Sequence, residues 1–119
     1  MEQNAQDKKK IIVELTSDKQ KKYLTSFINK ESSLFISSIL DDGVVKTFFE
    51  ADFPLEKIKE NKAFNFHESI DEILQELIPL INGEKIKLNE ENDNTLKINF
   101  ELPFQKFKDI EFKINEKKN

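Results

Sequence analysis

Few residues in this chain are equipped for chemistry. The single histidine, His67, stands beside Glu68 and close to Asp71. An imidazole among carboxylates can serve as a general base or a metal ligand. A histidine placed just ahead of a helical segment fits a surface or capping role better. A serine nucleophile would need that one histidine as its base, and no serine lies in a nucleophile-elbow motif. Glu90, Glu91 and Asp93 crowd into the segment Asn89–Asn94. That segment lacks the central glycine and terminal glutamate of a calcium-binding EF-hand loop. There is no cysteine, which removes disulfides, zinc fingers and thiol catalysis, and 2 glycines cannot build a phosphate-cradling loop. The expectation is a non-enzyme with no catalytic, cofactor-binding or metal-binding residue.

The aromatic residues are the more informative set. There are 11 phenylalanines against 1 tyrosine and no tryptophan. Phe48, Phe49, Phe53, Phe64 and Phe66 lie at the junctions of elements and are expected in the core. Phe104 and Phe107 differ, because Leu102-Pro103-Phe104-Gln105-Lys106-Phe107 connects two strands. A phenylalanine after proline in such a connection is either tucked under the sheet or offered to a partner.

These residues are positioned by a chain with two kinds of hydrophobic period. Ile11–Leu15, Tyr23–Asn29, Leu34–Leu40 and Val44–Ala51 read as four strands of an antiparallel meander. Asp42-Gly43 between the last two marks a hairpin, since Gly tolerates the positive φ of a tight turn. Pro54–Asn61 reads as a short helix with Leu55 and Ile58 on one face. Ser69 and Glu72 have the spacing of a capping box. Ile70, Ile73, Leu74, Leu77, Ile78 and Ile81 then form an apolar stripe opposite Asp71, Glu72, Gln75 and Glu76. Pro79 should cost the last turn a hydrogen bond, and Gly83 is expected to end the helix in the left-handed conformation. Three further strands follow at Ile86–Asn89, Leu96–Leu102 and Ile110–Ile114, alternating apolar with polar residues as half-buried strands do.

The predicted fold is therefore mainly β (α+β): about seven antiparallel strands in a small barrel or sandwich, with a helix-turn-helix inserted between strands four and five. Residues 1–10 are expected as a flexible tail, 11–115 as one domain and 116–119 as a second tail. A chain of 119 residues has room for one hydrophobic core. No apolar run approaches the length of a membrane span, and the polar N-terminus does not read as a secretory signal, so an intracellular, soluble protein is expected. The net charge is -4, and every basic residue other than His67 is lysine. Without arginine and with excess negative charge, specific nucleic-acid binding is not expected.

The order of elements, with Leu34-Phe35-Ile36-Ser37, Phe48-Phe49-Glu50-Ala51-Asp52-Phe53, the helix from Ser69, and Leu102–Lys113, resembles the globular head of the centriole cartwheel protein family, spindle assembly abnormal protein six. That head shares a superfamily with the heads of DNA end-joining scaffold proteins. Leu102 stands where the family has Asn before its Pro-Phe turn, and no coiled coil follows the last strand here. The resemblance implies a scaffold module in centriolar, ciliary or other cytoskeletal assembly, working in the cytoplasm or on the cytoskeleton. It also implies a protein partner, or weak self-association, through the turn carrying Pro103, Phe104 and Phe107, with Phe104 entering a pocket of another head. The alternative it leaves open is an accessory subunit of a nucleic-acid-associated complex.

Overall fold

The computed structural model describes residues 10–102 and 109–117. Its strands are β1 (Lys10–Thr16), β2 (Lys22–Asn29), β3 (Ser33–Asp41), β4 (Lys46–Pro54), β5 (Ile86–Asn92), β6 (Thr95–Phe100) and β7 (Ile110–Glu116). Between β4 and β5 lie a single helical turn, α1 (Leu55–Ile58), a 3-10 turn at Lys62–Phe64, and the long helix α2 (Ile70–Asn82). All seven strands form one antiparallel sheet in the order β1-β2-β3-β4-β7-β6-β5. The mainly β architecture with a helical insertion after the fourth strand is as expected. Strand 4 starts later than expected, at Lys46, because Val44 and Val45 are used by the hairpin. There Asp42 accepts hydrogen bonds from the backbone N–H of Val44 and Val45 at 2.9 and 2.8 Å, and Gly43 takes φ +93°.

The sheet curls because its two halves are joined over a short seam. β4 pairs with β7 only at Phe49↔Glu116 and Glu50↔Asn115. A further backbone bond runs from the N–H of Lys117 to the carbonyl of Phe48 at 2.7 Å. The four-stranded half β1–β4 and the three-stranded half β7-β6-β5 then fold toward each other around one core. Phe27 of β2 meets Phe100 of β6 edge-to-face with centroids 5.8 Å apart. Phe100 meets Phe112 at 6.0 Å, and Phe112 meets Phe53 at 4.9 Å. This aromatic chain ties the halves across the interior, where edge-to-face geometry is favourable.

The far edges of the two halves touch at one end, through a parallel bridge between Ser17 and Leu88. The clasp there is polar. Asp18 donates its N–H to the carbonyl of Leu88 at 3.1 Å and accepts from the N–H of Glu90 at 2.9 Å. The Ser17 hydroxyl donates to Glu90 at 2.7 Å. Beyond the clasp the edges of β1 and β5 diverge around an open cleft, so the structure is a half-barrel rather than a closed one.

Helix α2 fills the concave side. Its buried residues are Ile70, Ile73, Leu74 and Leu77, the face that 3.6-residue periodicity selects. The Ser69 hydroxyl accepts from the N–H of Glu72 at 3.2 Å. The Glu72 carboxylate reaches back one residue further than a capping box requires, to the N–H of Glu68 at 2.8 Å. The C-terminus departs from expectation. Gly83 has φ -89° and is not left-handed. Glu84 takes that conformation instead, with φ 60°. The N–H groups of Glu84 and Lys85 then cap the carbonyls of Ile81 and Leu80 at 3.2 and 2.7 Å, the two bonds of a Schellman motif. Gly83 serves a different need: a Cβ there would lie 3.2 Å from the carbonyl oxygen of Pro79.

Candidate interaction surface

In a half-buried antiparallel strand, alternate residues face the core and the solvent. The core positions of β1 to β4 follow this rule. Leu15, Tyr23, Phe27, Leu34, Ile36 and Phe49 are buried, and the buried polar pair Thr25 and Ser38 is satisfied by a mutual hydrogen bond of 2.7 Å. The outward positions do not follow it. Register places three rows across the outer face. The first is Lys10, Ile28, Phe35 and Asp52; the second is Ile12, Ser26, Ser37 and Glu50; the third is Glu14, Leu24, Ile39 and Phe48. Two apolar ridges, Ile28–Phe35 and Leu24–Ile39–Phe48, thus flank a shallow trough floored by the serines. Ile12, Leu24 and Phe48 are 53%, 50% and 44% exposed, and no described element packs over them.

The other half of the same sheet obeys the polar-out rule. The outward positions of β7, β6 and β5 are Glu111, Lys113, Asn115, Thr95, Lys97, Asn99, Lys87 and Asn89. They carry a small ion-pair network: Lys97 lies 3.8 Å from both Glu91 and Glu111, and Lys113 lies 3.4 Å from Glu91. The contrast is internal to one sheet, so general hydrophobicity of the strands does not explain it. The outer face of β1–β4 is built differently from an ordinary solvent face.

A second apolar feature arises where β4 and β7 splay apart. Phe53, Ile58, Phe64, Ile110 and Phe112, rimmed by Lys57, Asn61 and Glu111, line a pocket of about 130 Å³. Pro103, Phe104 and Phe107 lie outside the described residues.

Two of the expected core aromatics are corrected. Phe49 and Phe64 are buried and Phe53 is half-buried, but Phe48 points outward. Adjacent strand residues face opposite sides, so Phe48 and Phe49 cannot both be core. Phe66 is 85% exposed, two residues beyond Phe64 in the turn that drops Phe64 into the core. The outward apolar rows were legible in principle, since Ile11-Ile12, Phe35-Ile36 and Phe48-Phe49 are apolar on both faces. Continuous apolar runs of that kind also mark fully buried strands, and the sequence does not choose between the two.

His67 packs on Phe64 with ring centroids 5.6 Å apart, and its Nδ1 lies 3.8 Å from Glu72. This is a helix-entry position. Asn89–Asn94 is the β5–β6 hairpin, in which Asn92 accepts from the N–H of Asn94 at 2.8 Å. Among the described residues no group of three or more His, Cys, Asp or Glu is placed to hold a metal ion. No helix among them is long and apolar enough to cross a membrane. No protein-family model matches the chain, and no curated protein or solved structure matches it.

Proposed function

We propose that the chain is a non-enzymatic protein–protein interaction module of scaffold type, acting in centriolar, ciliary or other cytoskeletal assembly. The observation that carries the interaction reading is the outer face of β1–β4, where Ile12, Leu24 and Phe48 stand exposed and the Lys30 ammonium lies 4.4 Å over the Phe35 ring, on a sheet whose other half is ion-paired and wet. Contiguous exposed apolar surface rimmed by charge is the signature of a contact surface. The cellular setting rests on the resemblance of element order and of the Pro103-Phe104 turn. A photo-crosslinking residue at position 24, expressed in the source cell, is expected to yield covalent protein adducts. The same residue at position 99 on the wet half is the control. No adduct at position 24 above that control would contradict the reading.

A second contact, through Phe104, is favoured by the pocket at the β4–β7 splay. Its volume of about 130 Å³ approaches the roughly 150 Å³ of an apolar cavity that holds one benzene ring. A phenylalanine from another copy would fill it. Phe104→Glu should then weaken head-to-head association while leaving the melting temperature unchanged. A large drop in melting temperature would instead make Phe104 a core residue.

A further inference from the structure

We infer that the cleft between the free edges of β1 and β5 binds an extended, linear segment of another protein as an eighth strand, antiparallel to both edges. This surface is separate from the outer face of β1–β4, and its occupancy does not depend on what that face does.

The seven strands alternate in direction, so the first and the last run the same way. Ser17 and Leu88 accordingly meet in a parallel bridge. In the sheet order β1 and β5 are the two ends, and no described strand lies beyond either. One more strand between them would make every neighbour antiparallel and turn the half-barrel into a closed eight-stranded one.

The backbone of both edges is directed into the cleft. In an antiparallel pair, alternate residues exchange hydrogen bonds with the partner strand, and the residues between them point away from it. Ser17 donates its N–H to the carbonyl of Lys21 at 2.7 Å. Counting back in the register Leu15↔Tyr23, Val13↔Thr25 and Ile11↔Phe27, these are the residues bonded to β2. The N–H and C=O of Ile12 and Glu14 therefore face the cleft. On β5, Glu101 donates its N–H to the carbonyl of Lys85 at 2.8 Å. Lys87, opposite Asn99, is then the next residue bonded to β6, and the backbone of Ile86 faces the cleft. Leu88 has the same parity as Ile86, and its carbonyl accepts from Asp18 across the clasp at 3.1 Å. Two facing rows of free donors and acceptors are complementary to another extended backbone.

The side chains specify what that backbone carries. The inward residues of β6, Leu96, Ile98 and Phe100, are buried. At the cleft, Ile11 and Val13 of β1, Ile81 of α2 and Ile86 of β5 pack on the same core but are only half-buried. The core is thus left partly uncovered along the line where the sheet is open. Val13, Ile81 and Ile86 belong to the lining of a cleft of about 660 Å³, within the roughly 300–1,000 Å³ of ordinary ligand sites. Alternate side chains of an inserted strand point inward to this apolar lining, and the others face water beside Glu14 and Lys87. The segment is therefore one of about five residues in which β-branched or other apolar residues alternate with polar ones. The edge strand of a folded sheet carries its own neighbour on the far side, which β5 would obstruct. A linear segment has both sides free.

Affinity selection on the immobilised full chain, from a random library of peptides about eight residues long, tests this. Sequences with an apolar residue at every second position are expected to be enriched. A synthetic copy of the strongest should protect the amides of Ile12, Glu14 and Ile86 from hydrogen exchange. N-methylation at either of two adjacent central positions should weaken binding about tenfold, because one N–H bonds to β1 and the next to β5. Glu14→Pro removes a donor that no strand of the fold uses, so it should leave the melting temperature unchanged and abolish binding. Should that variant melt early, the methylated peptides decide the question on the parent chain. No enrichment, enrichment without alternation, or a peptide indifferent to N-methylation overturns the inference. So does weakening at only one of the two adjacent positions, which is strand addition to a single edge. Protection of the three amides without any peptide would give the cleft to this chain itself, through residues 1–9 or a second copy, and would overturn it as well.

Discussion

Tyr23 is the one phenol in the chain and is 2% exposed, at the polar clasp that holds the sheet edges together. Burial, and then the negative charge of Glu90, push its hydroxyl well above the ordinary phenol range. The unfolded chain loses that proton near pH 10, whereas the folded protein retains it to higher pH. Stability from this group is thus complete below about pH 10 and declines as pH rises above it. Near-ultraviolet absorbance should show no tyrosinate until the fold is lost, so ionisation and the loss of circular dichroism should coincide in an alkaline titration. A tyrosinate signal near pH 10 in a fully folded chain would show that Tyr23 is not held in this clasp. The sequence does not reveal the clasp. It joins Ser17 and Glu90 from distant parts of the chain, and only the curl of the sheet makes them neighbours.

At the scale of elements, helix α2 is where periodicity speaks most plainly. The apolar spacing selects Ile70, Ile73, Leu74 and Leu77, and all four are buried. Leu77 is fully buried, packed on a helix that faces β2 and β6. Leu77→Ala should cost about 2–5 kcal/mol in chemical denaturation through lost burial and a residual cavity. Glu76→Ala, on the exposed face, should change stability by less than about 0.5 kcal/mol. A near-silent Leu77→Ala would contradict the placement of α2. The end of the helix was less legible, since a glycine after the last apolar residue suggests the left-handed cap. Here the chain spends that glycine on close approach to Pro79 and puts Glu84 in the left-handed position. In the strands, alternation was readable where one face is wet, as in β6 and β7. It was ambiguous in β1 to β4, where both faces carry apolar residues, and there the sequence pointed Phe48 toward the core.

For the whole molecule, the arrangement is a curled sheet whose concave side is filled by its own helix and whose convex side is two-faced. Strand count, antiparallel order and the place of the helical insertion followed from periodicity and turn chemistry. The apolar outer face did not, because it depends on which strands become neighbours: register alone assembles Ile28, Phe35, Leu24, Ile39 and Phe48 into two ridges. The account's central claim is that these ridges are the contact surface of the protein. Photo-crosslinking from position 24 in the source cell tests it most directly, and covalent protein adducts above those formed from position 99 are expected. Adducts at position 24 no more abundant than at position 99 would contradict it.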